Sequence, residues 1–274
     1  MRFKLTVEYA GTRYSGWQVQ KNARTVQGEI ERAITAATGS REFEVYGSGR
    51  TDAGVHALAQ VAHLDLNTAI PPDSLQRRIN DELPADINIL SVQKVRHTFH
   101  ARHSARGRSY IYQVARRRTA FAKPFVWWVK DDLDLVRMRA AAARLVGFHD
   151  FQSFSDDDPL EKSTQVRLET LDISEAGDLI LFRVDGSHFV WKMVRRLVGV
   201  LVEVGRGGLT PDEAAAMLST TSDAPARLTA PASGLFLAQV LYEGDTPGVI
   251  PPPISLPSRS SSPRTTEARR RGGV

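Results

Sequence analysis

The chain contains no cysteine, which excludes disulfide staples, thiolate nucleophiles and cysteine-ligated zinc or iron–sulfur centres together. No apolar run approaches the ~20 residues that a membrane-spanning helix needs. The first residues, Met1, Arg2, Phe3, Lys4 and Leu5, start directly on an alternating pattern without the apolar core of a secretory signal. A cytoplasmic protein with no membrane partner is therefore expected. One-sided charge is also modest. The net charge is +5, and residues 245–274, with five arginines against two acids, contribute +3 of it. The remaining body carries only +2, so it meets a polyanion only where its charge is unevenly spread. Arginines do cluster, at Arg102, Arg106 and Arg108 and again at Arg116, Arg117 and Arg118, although each alone reads as a solvated face.

What is present supports a folded protein. At 274 residues and 42% hydrophobic content the chain can bury two modest cores. Phe3, Leu5, Val7 and Tyr9 alternate with polar residues, the period of a half-buried strand. Thr25 then reads as an N-cap before Val26, Ile30, Ala33, Ile34 and Ala37 at helical spacing, and Gly39 ends that helix. Strands are expected over 43–46, 60–66 and 87–95, with a short helix over 74–83. The order β-α-β-β-α-β is that of a split βαβ, or ferredoxin-like, unit.

A similar plan is expected to follow: strands over 109–115, 166–168, 179–184 and 235–242, and helices over 133–146 and 188–204. Thr210, Pro211, Asp212 and Glu213 form a capping box with proline at the first helical position. The chain thus divides into halves at 1–102 and 103–244. Residues 245–274 hold six of the fourteen prolines and a run of serines and arginines, a composition that reads as a disordered tail.

The segment Gly47-Ser48-Gly49-Arg50-Thr51-Asp52-Ala53-Gly54-Val55-His56-Ala57 concentrates the chemistry. It places one carboxylate, Asp52, in a glycine-punctuated bend two residues after an arginine. A carboxylate beside a guanidinium stays ionised and oriented, which suits a nucleophile or a general base. An isolated Arg-x-Asp would be no more than a surface ion pair. The two glycines at 47 and 49 make neither a dinucleotide fingerprint nor a phosphate loop, because Asp52 replaces the third glycine and no Gly-Lys-Ser/Thr follows.

This segment resembles the signature of the TruA family of tRNA pseudouridine synthases, Gly-x-Gly-Arg-Thr-Asp-x-Gly-Val-His. Further blocks resemble the family in the same order: Phe99-His100-Ala101-Arg102, Arg108-x-Tyr110-x-Tyr112, Asp150-Phe151-x-Ser153-Phe154, Met193-Val194-Arg195 and Ala230-Pro231-Ala232-x-Gly234-Leu235. The resemblance spans residues 3–242. It implies an α+β fold of two ferredoxin-like halves, whose antiparallel sheets meet at a central cleft crossed by tRNA. It implies isomerisation of uridine to pseudouridine at tRNA positions 38, 39 and 40, without cofactor or metal, by a homodimer.

The resemblance also assigns roles. Asp52 is the catalytic carboxylate, acting at the ribose anomeric carbon as nucleophile or base, or alternatively on the uracil ring. Arg50 helps to displace the stem or hold the flipped base. Arg195 pairs with Asp52, whereas Arg196, about 100° further round a helix, points elsewhere. Tyr110 stacks on the target uracil, with Tyr112 its structural neighbour on the same strand face. Leu235 lines the pocket, and Arg102, Arg106 and Arg108 are candidates for phosphate contact. His56 is expected to shape the loop, and His97, His100 and His103 to serve the backbone or RNA. The same cleft in a non-catalytic RNA-binding module, or in a sibling synthase with another RNA target, are the alternatives. The acidic spacer over 155–162 has no evident role in the sequence.

Overall fold

The computed structural model describes residues 1–256. The first half contains β1 (Arg2–Tyr9), α1 (Val26–Thr38), β2 (Phe43–Gly47), β3 (His56–Leu66), α2 (Pro72–Glu82) and β4 (Ile87–Val95). The second contains β5 (Gly107–Ala115), β6 (Trp127–Trp128), α3 (Leu135–Leu145), β7 (Gly147–Asp150), β8 (Gln165–Ala176) and β9 (Leu179–Gly186). It ends with α4 (Met193–Arg206), α5 (Pro211–Ala216), α6 (Ala224–Arg227) and β10 (Leu235–Leu241). The local signals act as expected. The Thr25 side chain accepts from the Gly28 N–H, Gly39 takes a left-handed conformation, and Thr210 and Glu213 form a reciprocal capping box.

The expected pair of sheets is one continuous ten-stranded sheet. Within the first half the order is β4-β1-β3-β2, and within the second β10-β5-β9-β8-β7, all antiparallel apart from the two-residue β6. The halves join edge to edge. β2 covers only the C-terminal part of β3, from Ala62 to Leu66. The uncovered start of β3 pairs in parallel with β10, Phe236 opposite His56 and Leu237 opposite Ala57. An unpaired strand edge leaves backbone donors and acceptors unsatisfied, and this junction satisfies them.

Each half buries its own core. One gathers Leu5, Val7, Ile30, Ile34, Leu64, Leu75 and Ile89 between strands β1–β4 and helices α1 and α2. The other gathers Met138, Phe151, Phe182, Leu197 and Leu201 around α3, α4, β5 and β9. The cores interlock across the junction. Val55, three residues after Asp52, is buried in the core of the second half, while Leu237 and Val240 of β10 are buried in that of the first. Full burial of one such side chain contributes roughly 1.5–3 kcal/mol.

Two expectations are corrected. The helix expected from residue 188 begins at Met193. Residues just before it are drawn into another pattern: the Trp191 N–H donates to Asp157, and Lys192 has a left-handed backbone with φ of 63°. The tail does not lose structure at 245. Leu256 is buried against Ala115, Val126, Leu179 and Leu181, and its carbonyl accepts from the Asp178 N–H at 2.8 Å. This segment covers the face of β9 opposite Ile180 and Phe182, which apolar alternation had left open. The expectation for residues 257–274 lies outside the described residues.

Candidate active site

The loop between β2 and β3 is held almost entirely through its backbone. Buried Gln60 bridges its start, accepting from Ser48 Oγ at 2.7 Å and donating to the Gly49 carbonyl at 3.1 Å. The Thr51 carbonyl accepts from the Trp17 N–H at 3.1 Å, and Thr51 Oγ1 lies 2.8 Å from the Tyr9 hydroxyl. The Val55 N–H closes a turn on the Asp52 carbonyl at 3.1 Å. The segment after β1 presses on this turn. A Cβ at Gly11 would stand 1.9 Å from the Val55 oxygen, and one at Gly16 2.6 Å from the Thr51 oxygen. Two backbones approach this closely only without side chains between them. The glycine requirement of the Asp52 loop therefore lies at residues 11 and 16 as well as in the loop itself.

His56 completes this anchoring. Its Nδ1 accepts from the Gly11 N–H at 3.0 Å, and its Nε2 lies 3.0 Å from the Pro124 carbonyl, which requires the Nε2–H tautomer. Burial pushes its pKa down to about 4, so the ring is neutral near pH 7. His56 shapes the loop, as the sequence predicts.

The Asp52 side chain faces the start of α4. Its Oδ2 lies 3.4 Å from Arg195 Nη1, and its Oδ1 accepts from the Trp191 indole at 3.0 Å. Arg195 is aimed by a second bond, from Nε to the Ala230 carbonyl at 2.7 Å. The pair is part-shielded, with 26% of the Asp52 side chain and 17% of that of Arg195 exposed. Shielding strengthens such an attraction relative to open water. Arg196 points away, buried, to Asp156 and the Ser153 carbonyl.

Tyr110, on β5, is half-buried at the seam and packs against both cores. Its ring meets Phe189 edge to face at 5.0 Å. Burial pushes the phenol up to about 12; the Asp52 carboxylate adds to the shift and Arg108 opposes it. The hydroxyl is therefore protonated at neutral pH. Leu235 is buried at the start of β10, opposite Tyr112 in the sheet register. Tyr112 is structural: its hydroxyl donates to the Pro231 carbonyl at 2.8 Å and fixes the turn that leads into Leu235. Asp52 thus meets Arg195 at the start of α4, and the Tyr110 phenol lies close enough to feel the Asp52 charge.

The remaining arginines divide. Arg50 is exposed and makes no hydrogen bond or ion pair among the described residues. Arg102 and Arg106 are exposed. Arg108 is committed to backbone: Nη1 donates to the Ser187 carbonyl at 3.1 Å, and Nη2 to those of Ser48 and Arg102 at 2.9 and 3.2 Å. It braces the Asp52 loop against the segment before α4. His100 also serves the backbone, its Nδ1 accepting from the Arg102 and His103 N–H groups.

Sequence reasoning misses Trp191, Asp156 and Asp157. Asp156 Oδ2 pairs with Lys192 Nζ at 2.5 Å, and its other oxygen with Arg196. Asp157 Oδ2 accepts from the Trp191 N–H and from Lys162 Nζ, each at 2.8 Å. The acidic spacer therefore holds the segment that faces Asp52. No local pattern links residues 156–157 to 191–196; only the fold brings them together.

Comparison with known proteins identifies the family. The family model described as tRNA pseudouridine synthase matches residues 5–104 and 141–243. A protein named tRNA pseudouridine synthase A from Nitrobacter winogradskyi is 43% identical over 249 residues, covering 90% of this chain and 97% of its own. Proteins of the same name from Bradyrhizobium sp. and Agrobacterium fabrum are 42% and 40% identical, covering 88% and 92% of this chain and 99% and 94% of their own. With the Asp52 motif at the meeting point of both matched segments, the chain belongs to the tRNA pseudouridine synthase family.

Proposed function

We propose that this protein isomerises uridine to pseudouridine at positions 38, 39 and 40 of the tRNA anticodon stem-loop, with Asp52 as the catalytic carboxylate. The observation that carries this reading is the Asp52 carboxylate, held by Arg195 and sharing its site with the neutral phenol of Tyr110, on a backbone-locked loop. The reaction breaks the bond from ribose C1′ to uracil N1, turns the base and joins C1′ to C5; C5 gives up its proton and N1 takes one up. Nothing is oxidised or reduced. A uridine in a stem must first be flipped out of the stack.

Asp52 acts at the anomeric carbon, as nucleophile or as base for elimination, or alternatively on the uracil ring. Tyr110 stacks on the uracil, where its aromatic face suits an unstacked base. Leu235 lines the pocket, and Arg50, unpaired and exposed, displaces the stem or holds the flipped base. Arg102 and Arg106 contact phosphates, while Arg108 supports Arg102 through its carbonyl. Residues 1–102 and 103–244 are two ferredoxin-like units, a reading supported by their matching strand orders. A homodimer in the cytoplasm, one tRNA touching both subunits, would enlarge the basic surface beyond what a body of +2 offers.

The test is release of a label from uracil C5 of an unmodified tRNA transcript with uridine at position 39. Release by the wild type and not by Asp52→Asn supports both reaction and residue. No release by either, with tRNA still bound, points to an RNA-binding module or another target nucleotide.

A further inference from the structure

We propose that Trp191 is a positioning residue for Asp52: its indole N–H holds Oδ1 while Arg195 holds Oδ2. The inference rests on the reading of Asp52 as the catalytic carboxylate. The two donors reach opposite oxygens of one carboxylate, at 3.0 and 3.4 Å. One donor alone leaves a carboxylate free to turn about its last bond; two donors on different oxygens fix that torsion.

The setting of Trp191 is that of an aimed side chain. The residue is 51% exposed, so core packing does not hold it. Three other contacts do. Its backbone N–H donates to Asp157, Lys192 Nζ lies 5.0 Å from the ring, and the indole N–H reaches Asp52. Lys192 adopts a left-handed backbone, φ 63°, that a lysine rarely takes, and the Asp156 carboxylate pins its side chain there. Strain of this kind persists only where surrounding contacts over-determine it, and here it sets the direction in which the neighbouring Trp191 leaves the chain. The acidic pair at 156 and 157 thereby gains a function, since it holds the Trp191 segment against Asp52.

Trp191→Phe removes the N–H and keeps an aromatic ring; Trp191→His returns a ring N–H. In the C5-release assay, Trp191→Phe is expected to lower kcat about tenfold to a hundredfold, the scale set by a misplaced reacting group. KM for tRNA and the melting temperature are expected to stay at wild-type values, and Trp191→His to recover part of the lost kcat. Unchanged kcat in Trp191→Phe, a loss confined to KM, or an equal loss in both variants would overturn the proposal. A second readout needs no turnover. The emission contributed by Trp191, taken as wild type minus Trp191→Phe, should shift when Asp52→Ala removes the acceptor; an unshifted contribution counts against the contact. If Asp52→Asn keeps full activity, the underlying assignment of Asp52 fails, and the emission result then judges the contact on its own.

Discussion

Asp52 reaches the site from a loop held by backbone contacts, whereas Arg195 and Trp191 reach it from a segment held by charges. On the first side, Gly11 and Gly16 press against the turn, Gln60 holds its start, and His56 and Thr51 add neutral hydrogen bonds. On the second, Asp156 and Asp157 gather Lys162, Lys192, Arg196 and the Trp191 amide. The difference teaches where precision resides. The Asp52 loop depends on shape, which salt does not screen. The opposing segment depends on part-exposed ion pairs, which weaken with ionic strength.

The sharpest test of this division is Asp52→Asn. Turnover should fall by at least about 10²–10⁴-fold, while tRNA affinity and the unfolding midpoint stay close to wild type, because the side chain does not hold the loop. Unfolding of this variant would break the comparison at once. Gly11→Ala should act in the reverse way. Its Cβ would overlap the backbone oxygen of Val55, and a Cβ fixed to its own backbone cannot rotate away, so a loss of about 3 kcal/mol or more is expected in urea unfolding.

Asp156→Ala should cost less, about 1–3 kcal/mol, because the carboxylate is itself part-exposed although Arg196 beneath it is buried. Its effect should shrink as salt rises, whereas that of Gly11→Ala should not. Unfolding measured at low and high ionic strength separates the two.

The last test is a pH dependence on the backbone-held side. Burial lowers the pKa of both His56 and His63 from 6.5 to about 4. The unfolded chain takes up protons on these rings below about pH 6.5 while the folded chain does not. Their contribution is therefore complete above that pH and declines as pH falls toward 4. Unfolding midpoints at pH 7 and pH 5 check this, and His56→Gln should flatten the slope.

Much of the fold was legible in residue order. Alternation marked β1, Thr25 and Gly39 bounded α1, and the Thr210–Glu213 box marked α5. Strand ends were less legible: β3 starts at His56 rather than near residue 60, because its first residues gain a partner in β10. The two-residue β6 and the short β7 carried too few residues for any period to show. In the site, Asp52, Arg195, Tyr110 and Leu235 were named in advance because they stand in motifs. Trp191, Asp156 and Gly11 were not, since their roles exist only through partners more than 30 residues away.

The sequence by itself determined the local elements, the absence of cysteine and the motif that carries Asp52, because caps, periodicity and motif spacing act over a few residues. The tertiary structure decided that the two halves share one sheet and that residues 254–256 close a third core. It also decided that an exposed tryptophan faces the Asp52 carboxylate. These outcomes depend on which strand edges and buried charges remain unsatisfied once the local elements have formed, and distant segments of the chain supply the partners.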